Sequence, residues 1–293
     1  MNHDIIYTQA VTHAGIFHAD DVFATAFIRM LWPDIKVRRV NAVPEGFGGL
    51  VYDIGLGEFD HHQADKEYRE NGIPYAAFGL LWRRFASYLM PQEDADVLDR
   101  MFVQKIDSQD NGGPRNEISG AIKDFVPSWD EEKSMDAAFW DAVDWAAVIL
   151  ERKIRRISSE RKAAETVKSM VVPDDHILVL ETYLPWQQSV VGTQLRYVVY
   201  PSQRGGYNAQ AVPRDPEPEE EKQSARPVKK PFPKEWAAKT PEELEKLSGI
   251  KGLTFCHAGR FLISAQTKGA AIAAARRADA ARDDGKQTQK TTS

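Results

Sequence analysis

Histidines and aspartates gather in four short clusters, each where one kind of secondary structure is expected to end, and this limits the folds open to the chain. The first is His13, His18, Asp20 and Asp21, in a segment where Gly15 permits a tight loop. The second is Asp53, after Val51-Tyr52, and the third is Asp60-His61-His62, after Phe59. The fourth runs from Asp107 to Asp110 and on to Asn111-Gly112, closing a helical segment. Residues 7–12 read as a strand, and Val22, Phe23, Ala26, Phe27, Met30 and Leu31 then recur at helical spacing. Residues 35–40 and 50–52 read as further strands. Strands alternating with helices predict an α/β fold with a mainly parallel sheet, in which the loops after the strands meet at one edge.

At 293 residues the chain is long enough for two lobes. We expect a metal-binding domain over residues 1–135, a helical connector over 136–172 and a smaller α+β substrate-binding domain over 173–282. In the last of these, residues 176–180, 195–200, 209–212, 253–256 and 261–265 read as strands, and residues 267–282 as an alanine-rich helix. Residues 213–234 are rich in Pro, Glu and Lys and read as an exposed insertion, and residues 283–293 as a polar tail. No internal repeat is visible.

Cys256 is the only cysteine, which excludes an internal disulfide and any cysteine-cluster metal site. A metal must therefore be held by histidine and carboxylate. The formal charge of −5 gives no global positive field, which disfavours tight non-specific binding to long duplex nucleic acid but leaves room for a local anion site. Hydrophobic residues at 42% and charged residues at 28% make a globular mixture with no membrane-length apolar run and no secretory signal pattern. A cytoplasmic protein without membrane partners is expected, and a homo-oligomer is compatible with this composition.

Paired divalent cations roughly 3.5–4 Å apart use several imidazoles and carboxylates, one of them bridging, to activate water and stabilise a phosphoryl group. The four clusters offer that set. Taken singly, each has an ordinary explanation, since a strand-end aspartate is commonly a cap and adjacent histidines commonly lie on the surface. Together they are harder to dismiss, because five of the seven histidines fall in the clusters or beside Cys256, as His257. His257, Arg260 and Arg204 are candidates to grip phosphate, and Trp186 and Tyr207 to stack on a base or, equally, to pack in the core. The charged run Glu151 to Arg156 reads as a solvated helix face.

The segments Thr12 to Asp21, Phe59-Asp60-His61-His62-Gln63 and Ile106 to Gly112 resemble the melanocyte-proliferating-gene family of the DHH phosphoesterase superfamily. So, in the same order, do Ile177 to Glu181, Leu184-Pro185-Trp186, Val198 to Pro201, Gln210 to Pro213 and Phe255 to Ala258. The sequence departs from the family pattern at Ala14 and Asp21, where asparagine and glutamate are common, at Gln187, where lysine is, and in its spacing at Gly259-Arg260.

The resemblance implies two metals in an N-terminal lobe and a C-terminal lobe closing over the substrate. By it, His13 and His18 hold one metal, Asp20, His61 and Asp107 the other, and Asp53 bridges both. His62 then faces the phosphate, Asp60 steadies an imidazole from behind, and Asp110 competes with Asp107 for the fourth-cluster role. Mixed His and Asp ligands suit Mn²⁺ best, with Mg²⁺ as the alternative and imidazole also suiting Zn²⁺. The implied activity is a 3′ to 5′ exonuclease on RNA or short oligonucleotides, with Asp53 and His62 central to catalysis. The same metal core serves hydrolysis of a small phosphoanhydride or a dinucleotide, and a non-catalytic metal-dependent regulatory protein is the alternative of another class.

Overall fold

The structure, a computed structural model, describes residues 5–214 and 227–281, so the middle of the expected insertion and the polar tail lie outside the described residues. The chain divides into two compact units, Met1–Ser159 and Glu160–Ser293.

In the first unit, β1 (Gln9–His13) is flanked by β2 (Lys36–Val40) on one side and β3 (Leu50–Val51) on the other, all parallel. The order β2-β1-β3 makes β1 the strand at which the chain switches sides, and its C-terminal end opens into the crevice where such sheets place ligands. Between β1 and β2 runs α1 (Ala19–Leu31), whose Val22, Phe23, Ala26 and Phe27 are buried at the spacing the sequence predicts. Their rings pack on Phe78 and Trp82 of α2 (Ala77–Phe85). Beyond β3, the backbone of Phe59 pairs with Tyr52 in a single parallel bridge, so the Asp60-His61-His62 segment lies alongside the sheet edge.

Next come α3 (Gln92–Leu98), a π-helical stretch Asp99–Val103, α4 (Gln104–Asp110) and α5 (Glu117–Lys123). The last helix of the region, α6 (Met135–Met170), is continuous over the span expected of a connector. It is divided between the units rather than forming one of its own. Ala138, Phe139, Ala142, Val143, Ala146 and Leu150 join the first core, and Val167 packs in the second with Leu178, Trp186 and Val198.

The second unit holds β4 (Ile177–Val179), β5 (Tyr197–Pro201), β6 (Tyr207–Ala211), β7 (Leu253–Cys256) and β8 (Leu262–Ala265), in the order β4-β5-β6-β8-β7. Only the β4–β5 pair is parallel. Helix α8 (Lys268–Ala280) buries Ala270, Ala271, Ala274, Ala275 and Ala278, a stripe small enough for its backbone to approach the sheet closely. Thr267 caps its start by accepting from the Ala270 N–H. A further helix, α7 (Pro241–Ser248), is opened by a Thr240–Glu243 capping box and closed by Gly249 at φ 66°. Among the described residues no helix is long and apolar enough to cross a membrane.

The expected exposed insertion at 213–234 needs correction at its margins. Pro213 bridges Val228, Lys229 donates its amine to the Thr193 carbonyl, and Lys230 donates to those of Asp279 and Ala281. Phe232 is fully buried, its ring 5.0 Å from that of Tyr197 and 6.4 Å from that of Trp236. Polar composition concealed one aromatic anchor and two lysines whose amines tie down backbone carbonyls. Of the two readings of Trp186, base stacking and core packing, the structure gives the second, since its side chain is fully buried in the core. Phe232→Ala is expected to destabilise the second unit by about 3–5 kcal/mol through the cavity it opens. Denaturant unfolding followed by tryptophan fluorescence measures this, and a loss below about 1 kcal/mol would return Phe232 to the surface reading.

Candidate metal centre

Each cluster is delivered by the end of a structural element. His13 is the last residue of β1, and its Nδ1 lies 3.0 Å from the carbonyl of Ala14. Donation from Nδ1 to that carbonyl leaves Nε2 facing two carboxylates, Asp21 Oδ2 at 3.1 Å and Asp53 Oδ2 at 3.2 Å. The loop from His13 to His18 is held in place by Arg39 of β2, which donates to the Gly15 carbonyl at 2.6 Å and lies over the Phe139 ring.

Asp20 and Asp21 occupy the first turn of α1, where the helix dipole favours negative charge. Asp21 divides its oxygens: Oδ1 accepts from the His18 N–H at 2.9 Å, capping the helix, and Oδ2 faces His13. Asp53 follows β3 in the left-handed region at φ 54°, a conformation costing about 1–3 kcal/mol that surrounding structure must impose. Its N–H donates to the Phe59 carbonyl at 2.9 Å. So turned, the carboxylate reaches His13 with Oδ2 and His61 Nδ1 with Oδ1 at 3.2 Å.

Asp60 accepts from the N–H groups of Leu56 and His62 and from the His62 ring at 2.8 Å. Burial opposes its ionisation, but those hydrogen bonds prevail and hold its carboxyl below the ordinary range. Asp60 thus steadies His62, whose side chain is 59% exposed. His61 is buried between two carboxylates, with Nε2 at 2.8 Å from Asp110 Oδ2. Asp110 ends α4, and its other oxygen lies 3.8 Å from His18 Nδ1.

Three sets emerge whose candidate ligand atoms lie within 4.8 Å of one another: His13, Asp21 and Asp53; His18, Asp20 and Asp110; and Asp53, Asp60, His61 and His62. Asp53 belongs to two of them. The structure gathers His13, His18, Asp20, Asp53, Asp60, His61, His62 and Asp110, but groups His18 with Asp20 and Asp110 rather than with His13. It also brings in Asp21, which the sequence reading noted without proposing as a ligand.

Asp107 is not brought to the centre. Its fully buried carboxylate accepts from Arg69 Nη2 at 2.7 Å and from the Gly79 N–H at 3.1 Å, closing the start of α2. A Cβ on Gly79 would lie 1.7 Å from Asp107 Oδ2, so glycine there makes the approach feasible. Arg69 also forks onto Asp99 with bonds of 3.0 and 2.7 Å. Burial pushes the Asp107 carboxyl up to about 7, with Arg69 opposing. Asp110 takes the position for which Asp107 was the first choice, three residues on, because Arg69 and Gly79 claim Asp107 from elsewhere in the chain.

Electrostatically, the centre favours positive charge. Both oxygens of Asp20, and the Asp21 and Asp53 oxygens that face His13 and His61, are buried without a hydrogen bond of good geometry among the described residues. Buried, unpaired carboxylates are costly unless charge is supplied. Burial followed by the repulsion of Asp53, Asp110 and Asp21 drives the Asp20 carboxyl well above its ordinary range. Burial disfavours a charged His13 ring, but Asp21 and Asp53 outweigh it and push His13 up to about 10. Against the same opposition Asp110 and Asp53 raise His61 to about 9. Buried carboxylates with unused lone pairs beside imidazoles, one carboxylate common to two groups, fit a pair of divalent cations.

The phosphate-gripping candidates lie in the second unit. Arg204, in the turn between β5 and β6, lines a cavity of about 750 Å³ with Tyr183, Tyr200 and Phe255. His257 follows β7, its Nδ1 accepting from the Gly259 N–H and its ring centroid 4.2 Å from that of Phe261. Arg260, at φ 58°, exchanges backbone and side-chain hydrogen bonds with Phe232 in the β7–β8 turn. His257 and Arg260 are not among the residues lining the Arg204 cavity.

Comparison with known proteins bears on these sites. The model of a family described as Uncharacterised protein family (UPF0160) matches residues 9–278. A MYG1 protein of Chlamydia pneumoniae is 29% identical over 86% of this chain and 89% of its own length. The MYG1 protein C694.04c of Schizosaccharomyces pombe is 26% identical over 92% and 97%. A human protein named MYG1 exonuclease is 26% identical over 90% and 84%. No solved structure matches.

Asp107 and Asp110 separate by experiment. Asp107→Asn is expected to cost about 3 kcal/mol of stability, because Arg69 loses a buried partner, while metal uptake is kept. Asp110→Asn should reverse the pattern, holding stability and losing metal. Denaturant melts and metal analysis on both variants read the outcome, and loss of metal from Asp107→Asn alone would exchange the two roles.

Proposed function

Because the chain belongs to the Uncharacterised protein family (UPF0160), we propose that it is a metal-dependent phosphodiester hydrolase of the DHH type, a 3′ to 5′ exonuclease acting on RNA or short oligonucleotides. Relatives named MYG1 exonuclease support the reaction class. The observation that carries the reading is Asp53, whose two oxygens face histidines of two different groups, as a bridging ligand requires.

His13, Asp21 and Asp53 would hold one cation, and His18, Asp20 and Asp110, with His61 beside Asp110 and the shared Asp53, offer ligands for the other, Mn²⁺ suiting this donor set best and Mg²⁺ serving as the alternative. When bound, such a pair activates water and offsets the charge that develops on phosphate oxygens. The protein's own contribution is preorganisation. Asp21 ties one ligand position to the α1 cap, Ala14 orients the His13 ring, and Asp60 orients His62. His62 lines the cavity beside the cluster and would meet a phosphate oxygen there.

Asp53→Asn removes a negative charge common to both groups and is expected to loosen both metals together. His62→Ala is expected to keep them and lower kcat by about 10²–10³. Metal content and hydrolysis of labelled oligoribonucleotides, dinucleotides and pyrophosphate, compared with the parent, form the test. If Asp53→Asn kept two tight metals and full activity, the bridging role would be wrong. Parent activity confined to pyrophosphate would move the substrate to small phosphoanhydrides, and activity on none of the three would favour a regulatory protein.

A further inference from the structure

Beside the cluster, and wholly within the first unit, lies a cavity of about 830 Å³, a size at which pockets enclose a ligand as large as a nucleotide. One wall is the centre itself, through His18, His61, His62 and Asp110. A second is apolar, its surface formed by Ile16, left 61% exposed, and the half-buried Val126, with the buried Phe17 and Ile106 behind them. Lys66, from the loop after His62, and Lys123, the last residue of α5, complete the lining. The Lys123 ammonium has no partner among the described residues, and Lys66 makes one hydrogen bond, to Asn111 Oδ1 at 2.8 Å, leaving donors unused.

The remaining neutral polar side chains of the wall have their acceptor oxygens engaged with the protein. Gln109 Oε1 accepts from the N–H and side-chain amide of Asn116, and Ser119 Oγ accepts from the same amide. Apolar surface, two ammonium groups and pre-engaged polar groups suit one kind of occupant, a flat apolar body flanked by phosphates. Beyond the Gln109 amide and the Ser119 hydroxyl, little is left to read the edge of a base.

Resting on the hydrolase reading above, we propose that this cavity is a subsite for one nucleotide of the substrate. Its base lies on the apolar surface of Ile16 and Val126, and Lys66 and Lys123 hold the phosphate adjacent to the scissile one, without selecting among bases.

The test compares non-hydrolysable phosphonate analogues of adenosine 5′-monophosphate and adenosine 3′,5′-bisphosphate, titrated by calorimetry into the full chain with Mn²⁺. The parent is expected to bind the bisphosphate analogue about tenfold tighter, and a Lys66→Ala, Lys123→Ala double variant to bind both alike. Uridine analogues should match adenosine ones within about threefold. In hydrolysis the double variant should raise KM for an oligonucleotide about tenfold, with kcat changed far less. Lys246→Glu, on the exposed face of α7, is the control for a mere change of surface charge. A parent that does not discriminate the two phosphonates, or a double variant that discriminates as strongly, overturns the subsite. A base preference above about tenfold overturns its indifference to sequence. Lysine-dependent binding with no oligonucleotide cleavage would leave the subsite standing and remove the hydrolase reading instead.

Discussion

Burying Asp20, Asp21 and Asp53 side by side is the constraint to which the rest of the first unit answers. Carboxylates at such separations repel one another, and desolvation adds to the cost. The dipole at the start of α1 offsets part of this for Asp20 and Asp21, and His13 and His61 offset more. What remains is a demand for positive charge that the described side chains do not meet. Elements around the centre act to hold that demand in place: Arg39 secures the loop before α1, and the Asp53–Phe59 hydrogen bond ties the end of β3 to the segment carrying His61.

Much of this was legible in the sequence because the information was local. A strand over residues 7–12, a helical pattern from Val22 onward and alternating strands were enough to expect His13, His18, Asp20, Asp53 and His61 at one sheet edge. The resemblance implied that Asp60 steadies an imidazole, and the structure puts that contact on His62, two residues away. What escaped was decided at long range. Nothing near Asp107 shows that Arg69 and Gly79 will claim it, and those residues are 38 and 28 positions away. Arg39 gives no sign in a short strand that it will reach back to Gly15.

In the second unit the strands were readable from β-branched and aromatic runs, and the alanine-rich helix from its composition. Phe232 was lost because a stretch rich in Pro, Glu and Lys outweighed a single ring. The helix α7 was missed although Thr240-Pro241-Glu242-Glu243 carries both a capping box and a proline at the first helical turn. That signal was available and local. Arg204 lines a cavity that His257 and Arg260 do not, a separation that sequence order does not show.

The π-helical stretch Asp99–Val103 bears on how relatives of this chain should be aligned. Wider winding there sets the rotational phase with which α4 emerges, and one residue of an α-helix corresponds to about 100° of rotation. The direction of Asp110 is therefore stored upstream of the helix that carries it. A relative with a one-residue gap between positions 99 and 103 could match every histidine and aspartate motif and still present a different face of α4 to them. For such a sequence, motif identity would overstate kinship of the site, and the length of a segment with no chemistry of its own would be the better guide.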